Sequence, residues 1–249
     1  MRVEFGELKK IIKDKTSKNK LAKDSSVCLS EFIASVNNYV EHSHSLKQDE
    51  MANVTMSVQN WVLRRGYTSF NKGTVDIGDI FYADLGLNYK PEYSYHHPVI
   101  VLEKVGNRVM VVPVSTSKDN IDEAYHPIDN LEGSKFLRKV YGDECGAESD
   151  GFERTGAILL TDIKIISQDR LIEKKGALKD ISNKDSLFQE IKYKVFTYAF
   201  PKQNIELFKT KRDYEHLKEE HEKLLVEYNI LIEKVKQYES STDDSEVQK

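Results

Sequence analysis

Three short apolar runs constrain this chain more than anything else in it. Val99-Ile100-Val101-Leu102, Val109 to Val114 and Ala157 to Leu160 are largely β-branched and bounded by Gly, Pro or Asn. Runs of this length and composition read as strands rather than helices. Gly106-Asn107 separates the first two and marks a tight hairpin. Upstream, turn signals in Gly73-Thr74-Val75-Asp76 and Ile77-Gly78-Asp79 lead into an alternating Ile80-Phe81-Tyr82-Ala83. Antiparallel strands joined by short turns predict a small barrel or a strongly bent sheet. Leu187, Phe188, Ile191, Val195, Phe196 and Ala199 then fit one face of a helix packed on that sheet, and Pro201 punctuates the chain.

The flanks differ in character, which predicts three regions: helical 1–71, a β-rich core over 72–200, and an amphipathic helix with a tail over 201–249. In the first, Val27, Leu29, Phe32, Ile33, Val36, Tyr39 and Val40 recur at helical spacing. Asn53 to Arg65 reads as another helix, with Trp61 and Val62 inward and Gly66 just past its end. In the last, a heptad frame puts Leu207, Tyr214, His221, Tyr228 and Val235 at a, and Thr210, Leu217, Leu224, Leu231 and Tyr238 at d. This predicts either a coiled coil or a helix packed on the N-terminal helices of its own chain. Residues 240–249 lack an apolar stripe and read as a disordered tail.

Composition narrows the classes further. The 249 residues carry net charge −4, which excludes a histone-like polycation and argues mildly against a nucleic-acid partner. That average conceals 11 basic against 8 acidic residues in 1–71, 17 against 21 in 72–200, and 9 against 12 in 201–249. No window is apolar enough for a membrane span, the N-terminus lacks a signal-peptide core, and Cys28 and Cys145 stand alone. The expectation is a cytoplasmic protein with two reduced thiols. Gly-rich phosphate loops, His-Glu-x-x-His and nucleophile-elbow motifs are all missing from the sequence.

Four stretches carry a resemblance. They are Gly78-Asp79-Ile80-Phe81-Tyr82-Ala83-Asp84-Leu85, His97-Pro98-Val99-Ile100-Val101, Val111-Val112-Pro113-Val114-Ser115-Thr116, and Gly156 to Ile166 followed by Asp169-Arg170-Leu171. In this order and spacing the middle region resembles the MazF/PemK family of toxin endoribonucleases. The resemblance implies an α+β fold, a small SH3-like β-barrel with a C-terminal helix, to which this chain adds helical extensions at both ends. It also implies a homodimer that cuts single-stranded RNA without metal or cofactor, and an antitoxin partner, protein or RNA.

Metal-free RNA cleavage needs a base for the 2′-OH proton, positive charge for the phosphate and an acid for the leaving oxygen. By position, the resemblance assigns the catalytic roles to His97 and Ser115, with Thr116 beside the latter. The family has Arg where this chain has His97. Arginine is a permanent forked cation, whereas histidine titrates near neutrality and moves a proton. Two consequences are open: His97 is an acid/base catalyst with Lys118 or another cation on the phosphate, or the groove binds RNA or protein without cutting. A third reading is poisoning of DNA gyrase through a protein interface, as some family relatives do.

The loop Gly86–His96 holds Tyr89, Lys90, Tyr93 and Tyr95 ahead of His96, a set suited to unstacked bases and a phosphate backbone. In the family this loop overhangs the RNA groove. Glu132 to Glu153 reads as a polar inserted loop in which Arg138 and Lys139 are further candidates for RNA contact. His126 reads as structural, and Cys145 lacks the nearby cation that activates a thiol.

Overall fold

The computed structural model describes residues 2–64 and 74–246, with the side chains of 237–246 excepted. Expectations that fall on 65–73, including the helix end at Gly66, lie outside the described residues. Three helices come first: α1 (Phe5–Lys13), α2 (Ser26–Ser43) and α3 (Gln48–Arg64). The central region holds β1 (Asp79–Asp84), β2 (His96–Val105), β3 (Arg108–Ser115), a short α4 (Lys118–Glu123), β4 (Ala124–Tyr125), β5 (Ser134–Val140), β6 (Gly156–Leu159), β7 (Lys164–Ser167), β8 (Leu171–Ala177) and α5 (Leu187–Ala199). One helix, α6 (Pro201–Glu246), completes the chain and stays helical past residue 240, where the sequence predicts a tail.

The expected hairpin is present. Val105 pairs with Arg108 across Gly106-Asn107, and Gly106 adopts φ +60, which a Gly-first two-residue turn requires. Residues of β1 to β3 alternate between two buried clusters. Phe81, Ala83, Val99, Val101, Val109 and Val111 face one way, and Ile80, Ile100, Leu102, Val112 and Val114 the other. The second face is covered by Phe188, Ile191 and Val195 of α5. Burial of each such aliphatic side chain contributes about 1.5–3 kcal/mol before the entropy of ordering is counted.

Strand β3 changes partner along its outer edge, pairing with β7 over Arg108–Val111 and with β6 at Val114 and Ser115. The arc β7-β3-β2-β1-β8 therefore curls around the first cluster, and its two ends follow one another in the chain through the turn Gln168–Arg170. Among the described residues no ladder joins β7 to β8, so the α+β architecture stands while the anticipated barrel remains open.

Three local expectations are corrected. The inserted loop at 132–153 contains β5, laddered to β6 from Leu137↔Leu159 to Val140↔Gly156. Its charged residues hide the alternation: Arg138 is buried and bound by both oxygens of Glu190 at 3.1 Å, so it braces α5 and is not open to RNA. Lys139 pairs with Asp129 at 3.4 Å and lies over the Tyr141 ring. In α3 the inward residues are Val54 and Ser57, while Trp61 and Val62 are 58% and 57% exposed. The α3 face is turned by polar contacts instead. Ser57 donates to Asp84 at 3.0 Å, Asn60 meets His96 at 2.8 Å, and Arg64 donates to the carbonyl of Leu171 at 3.2 Å.

Burial pulls the Glu190 carboxyl upward, but Lys194 and Arg138 outweigh it and leave it below the ordinary range. Replacing Glu190 by Ala leaves Arg138 buried without its partner. Because the carboxylate is about one-third exposed, the expected loss is roughly 2 kcal/mol, below the full cost of breaking a buried pair. A lowered denaturation midpoint at unchanged m-value is the readout, and an unchanged midpoint contradicts the assignment.

Candidate active site

The site is built at the open end of the β2–β3 hairpin. Near the turn, Glu103 pairs with Met110, but a one-residue shift at Leu102 sets Val101 against Val111 and Val99 against Pro113. The β2–β3 ladder ends at Val99 and Pro113; the same frame extended by two residues would set His97 against Ser115. Directly opposed residues hold their Cβ atoms about 4.5–5.5 Å apart. On the other side Ser115 pairs with Ala157, beside Gly156. A Cβ at Gly156 would come within 2.8 Å of Val114 Cγ1 and 3.0 Å of the Ser115 carbonyl, so only glycine lets β6 lie this close.

Two side chains link His97 to Ser115. The Tyr93 ring meets the His97 ring edge-on, with centroids 4.9 Å apart. Asn120, returned by the single turn of α4, donates at 2.8 Å both to the Tyr93 hydroxyl oxygen and to Ser115 Oγ. The Ser117 backbone N–H also donates to Ser115 Oγ at 3.2 Å. With two N–H groups on its oxygen, the Ser115 hydroxyl is oriented to donate its own proton elsewhere.

A cleft of about 430 Å³ is lined by both histidines, His96 and His97, with Tyr82, Thr116, Arg154 and Lys175, whereas Ser115, Tyr93 and Asn120 stand outside its wall. Lys175 is held by Glu173 at 2.9 Å and Glu153 at 3.6 Å, and the hydrogen bond to Glu173 keeps its ammonium charged above the ordinary range. Arg154 is exposed at the rim. Burial lowers the pKa of His97, a hydrogen bond to the Ser94 main chain opposes this, and neighbouring His96 adds to the lowering. His97 is therefore neutral at pH 7, the form that accepts a proton.

The other expected residues are placed differently. His96 is buried against α3, stacked on Tyr82 and 3.9 Å from Asp84, with Nδ1 unpartnered. Tyr95 turns to α3, where its hydroxyl donates to Glu50 at 3.3 Å. It adopts φ +68 at the neck of the loop, exchanging 2.7 Å backbone bonds with Leu85 and Gly86. Tyr89 and Lys90 point into solvent at the loop tip, and Lys118 is exposed on α4, outside the cleft wall. His126 accepts the backbone N–H groups of Ile128 and Asp129 and staples its own turn. Sequence reasoning missed Asn120, Arg154 and Lys175. Asn120 shows its role only once α4 folds it back, and the cations flank strands far apart in sequence.

Residues 76–187 match the family described as PemK-like, MazF-like toxin of type II toxin-antitoxin system. The match thus spans the middle of this chain, between helical segments that it does not cover. No curated protein sequence matches the chain. Among solved structures, MazF from Deinococcus radiodurans aligns at 13% identity and TM-score 0.36, over 50% of this chain and 96% of that one. A mycobacterial endoribonuclease in complex with its cognate antitoxin aligns at 11% identity and TM-score 0.33, over 52% and 97%. The Mycobacterium tuberculosis toxin MazF-mt6 aligns at 16% and 0.31, over 49% and 96%. At such scores these likenesses carry no argument about this chain.

Burial lowers the pKa of His96, His97 and His126 alike. In each case the unfolded chain binds the proton more readily, so the stability they contribute is whole above about pH 6.5 and is lost as pH falls through the lowered native values. The thermal midpoint is expected to fall between pH 7 and pH 5, and the fall to shrink in His126→Gln. A midpoint independent of pH contradicts this.

Proposed function

We propose that the central domain is a toxin-type endoribonuclease that cuts single-stranded RNA without metal, as the toxin of a toxin-antitoxin pair. The observation that carries this reading is His97 in the wall of a cleft shared with Thr116, Arg154 and Lys175, and linked through Tyr93 and Asn120 to Ser115. Neutral His97 takes the 2′-OH proton, the 2′ oxygen attacks phosphorus as the bond to the 5′ oxygen breaks, and the departing 5′ oxygen takes a proton from solvent water to leave as the 5′-OH. The cations, Ser115 and Thr116 stabilise charge on the non-bridging oxygens. Tyr93 positions His97, and Asn120 positions Ser115. Tyr89 and Lys90 at the loop tip contact flanking nucleotides, with Lys118 on the approach. The domain works as a cytoplasmic homodimer restrained by an antitoxin.

A second reading, RNA or protein binding without cleavage, is favoured by one observation: Glu173 and Glu153 neutralise Lys175, leaving Arg154 as the main cation of the wall.

Purified protein is expected to cut a long RNA into discrete fragments in EDTA. His97→Ala should lower the rate by about 10²–10⁴-fold, the usual range for a general base. Activity should fall on the acid side with a midpoint below about 6.5, as His97 becomes protonated. RNA binding with no cleavage from pH 5 to 8 favours the second reading.

A further inference from the structure

The helix α6 spans 46 residues, about 69 Å at 1.5 Å per residue, and after Asn204 its described side chains lie in water or half in water. Leu217, Leu224 and Leu231 at d are 63%, 63% and 59% exposed, and Tyr214, Tyr228 and Val235 at a expose more than half their surface. A stripe this long on a single solvated helix lacks the partner that would bury it. Among the described residues, the N-terminal helices of the same chain leave this stripe exposed.

We propose that α6 pairs with α6 of a second copy of this chain, parallel and in register, as a two-stranded coiled coil. The flanking charges select this occupant. In the same heptad frame, g holds Glu206, Asp213, Glu220, Glu227 and Lys234, and e holds Lys211, Lys218, Leu225, Ile232 and Glu239. Parallel pairing brings each g residue to the e residue five positions further along the other helix. Glu206 then meets Lys211 of the partner subunit, and Asp213 meets Lys218 of the partner subunit. Further along, Glu220 and Glu227 lie against Leu225 and Ile232 of the partner subunit, where their methylene stems cover apolar surface. No like charges meet across these four contacts. Antiparallel pairing instead sets Asp213, Glu220 and Glu227 against their own kind. His221, the polar residue at a, is matched only by itself when the helices are in register, as polar a positions fix register elsewhere.

The stalk places both toxin-like domains at the same end, with two clefts side by side, and this holds whether or not the domain cuts RNA. The full chain carrying Leu217→Cys or Leu224→Cys, in a glutathione redox buffer, is expected to form an intersubunit disulfide at least tenfold faster than Glu219→Cys on the outer face, since facing d positions bring their Cβ atoms within disulfide reach. The unsubstituted chain controls for Cys28 and Cys145. Reversing Lys211 and Lys218 to Glu in the Leu217→Cys chain should abolish the cross-link. Mixing that chain with one carrying Glu206→Lys, Asp213→Lys and Leu217→Cys should restore it as a heterodimer. Equal rates at all three cysteine positions, or none at Leu217→Cys and Leu224→Cys, overturns the proposal. Docking of α6 on the exposed face of α2 would give that second result, and so would capture by a different protein.

Discussion

A one-residue register shift at Leu102 decides which residues of the β2–β3 hairpin face one another. The turn at Gly106-Asn107 starts the β2–β3 ladder in a frame that would run His97 against Thr116. The shift resets the frame so that Val99 meets Pro113, which aligns the strand ends carrying His97 and Ser115. Because strand side chains alternate with period two, one residue decides which face of the sheet receives each group. The same reset sends Val99 and Val101 to one buried cluster and Ile100 to the other. Core and site are therefore fixed by one local geometry. Shifting the register would cost burial on both faces, so the site inherits the stiffness of the core.

Around that hairpin the chain adds supports of two kinds. On one side Tyr93 and Asn120 complete a short polar bridge over the strand ends, built from a loop and a single helical turn. On the other, α3 is joined to the ends of β1, β2 and β8 through Ser57, Asn60 and Arg64. Buried polar contacts of this kind give orientation at little net stability, because each replaces a contact with water. His96 sits inside that seam, directly before His97. The two adjacent histidines consequently have different partners: His96 is held by Asn60 beside Asp84, His97 meets the Tyr93 ring, and both line the cleft.

The legible part of the sequence was what periodicity and turns control. The hairpin, the apolar strands, α5 and the long α6 follow from spacing alone. His97 and Ser115 stand out as candidates through the resemblance of the strands that carry them, while their spatial relation does not follow from it. Residues whose role depends on tertiary contact were hidden. Lys135 to Val140 looks like a solvated loop because Arg138 and Lys139 interrupt it, yet Arg138 is buried against a half-buried carboxylate that the sequence places 52 positions away. Trp61 drew attention by its size, although the inward face of α3 is polar and is set by Asp84 and His96. Asn120 carries no motif at all. The open sheet arises where β7 and β8 meet only through a turn, a feature that strand spacing does not report.

The central claim is that His97 and Ser115 form one metal-free centre for 2′-OH attack, and the end groups of the RNA products test it most directly. Cleavage in EDTA should leave a 2′,3′-cyclic phosphate on one fragment and a free 5′-OH on the next, seen as 5′ labelling by a polynucleotide kinase without prior phosphatase treatment. Products with 5′-phosphate and 3′-OH ends would contradict the account.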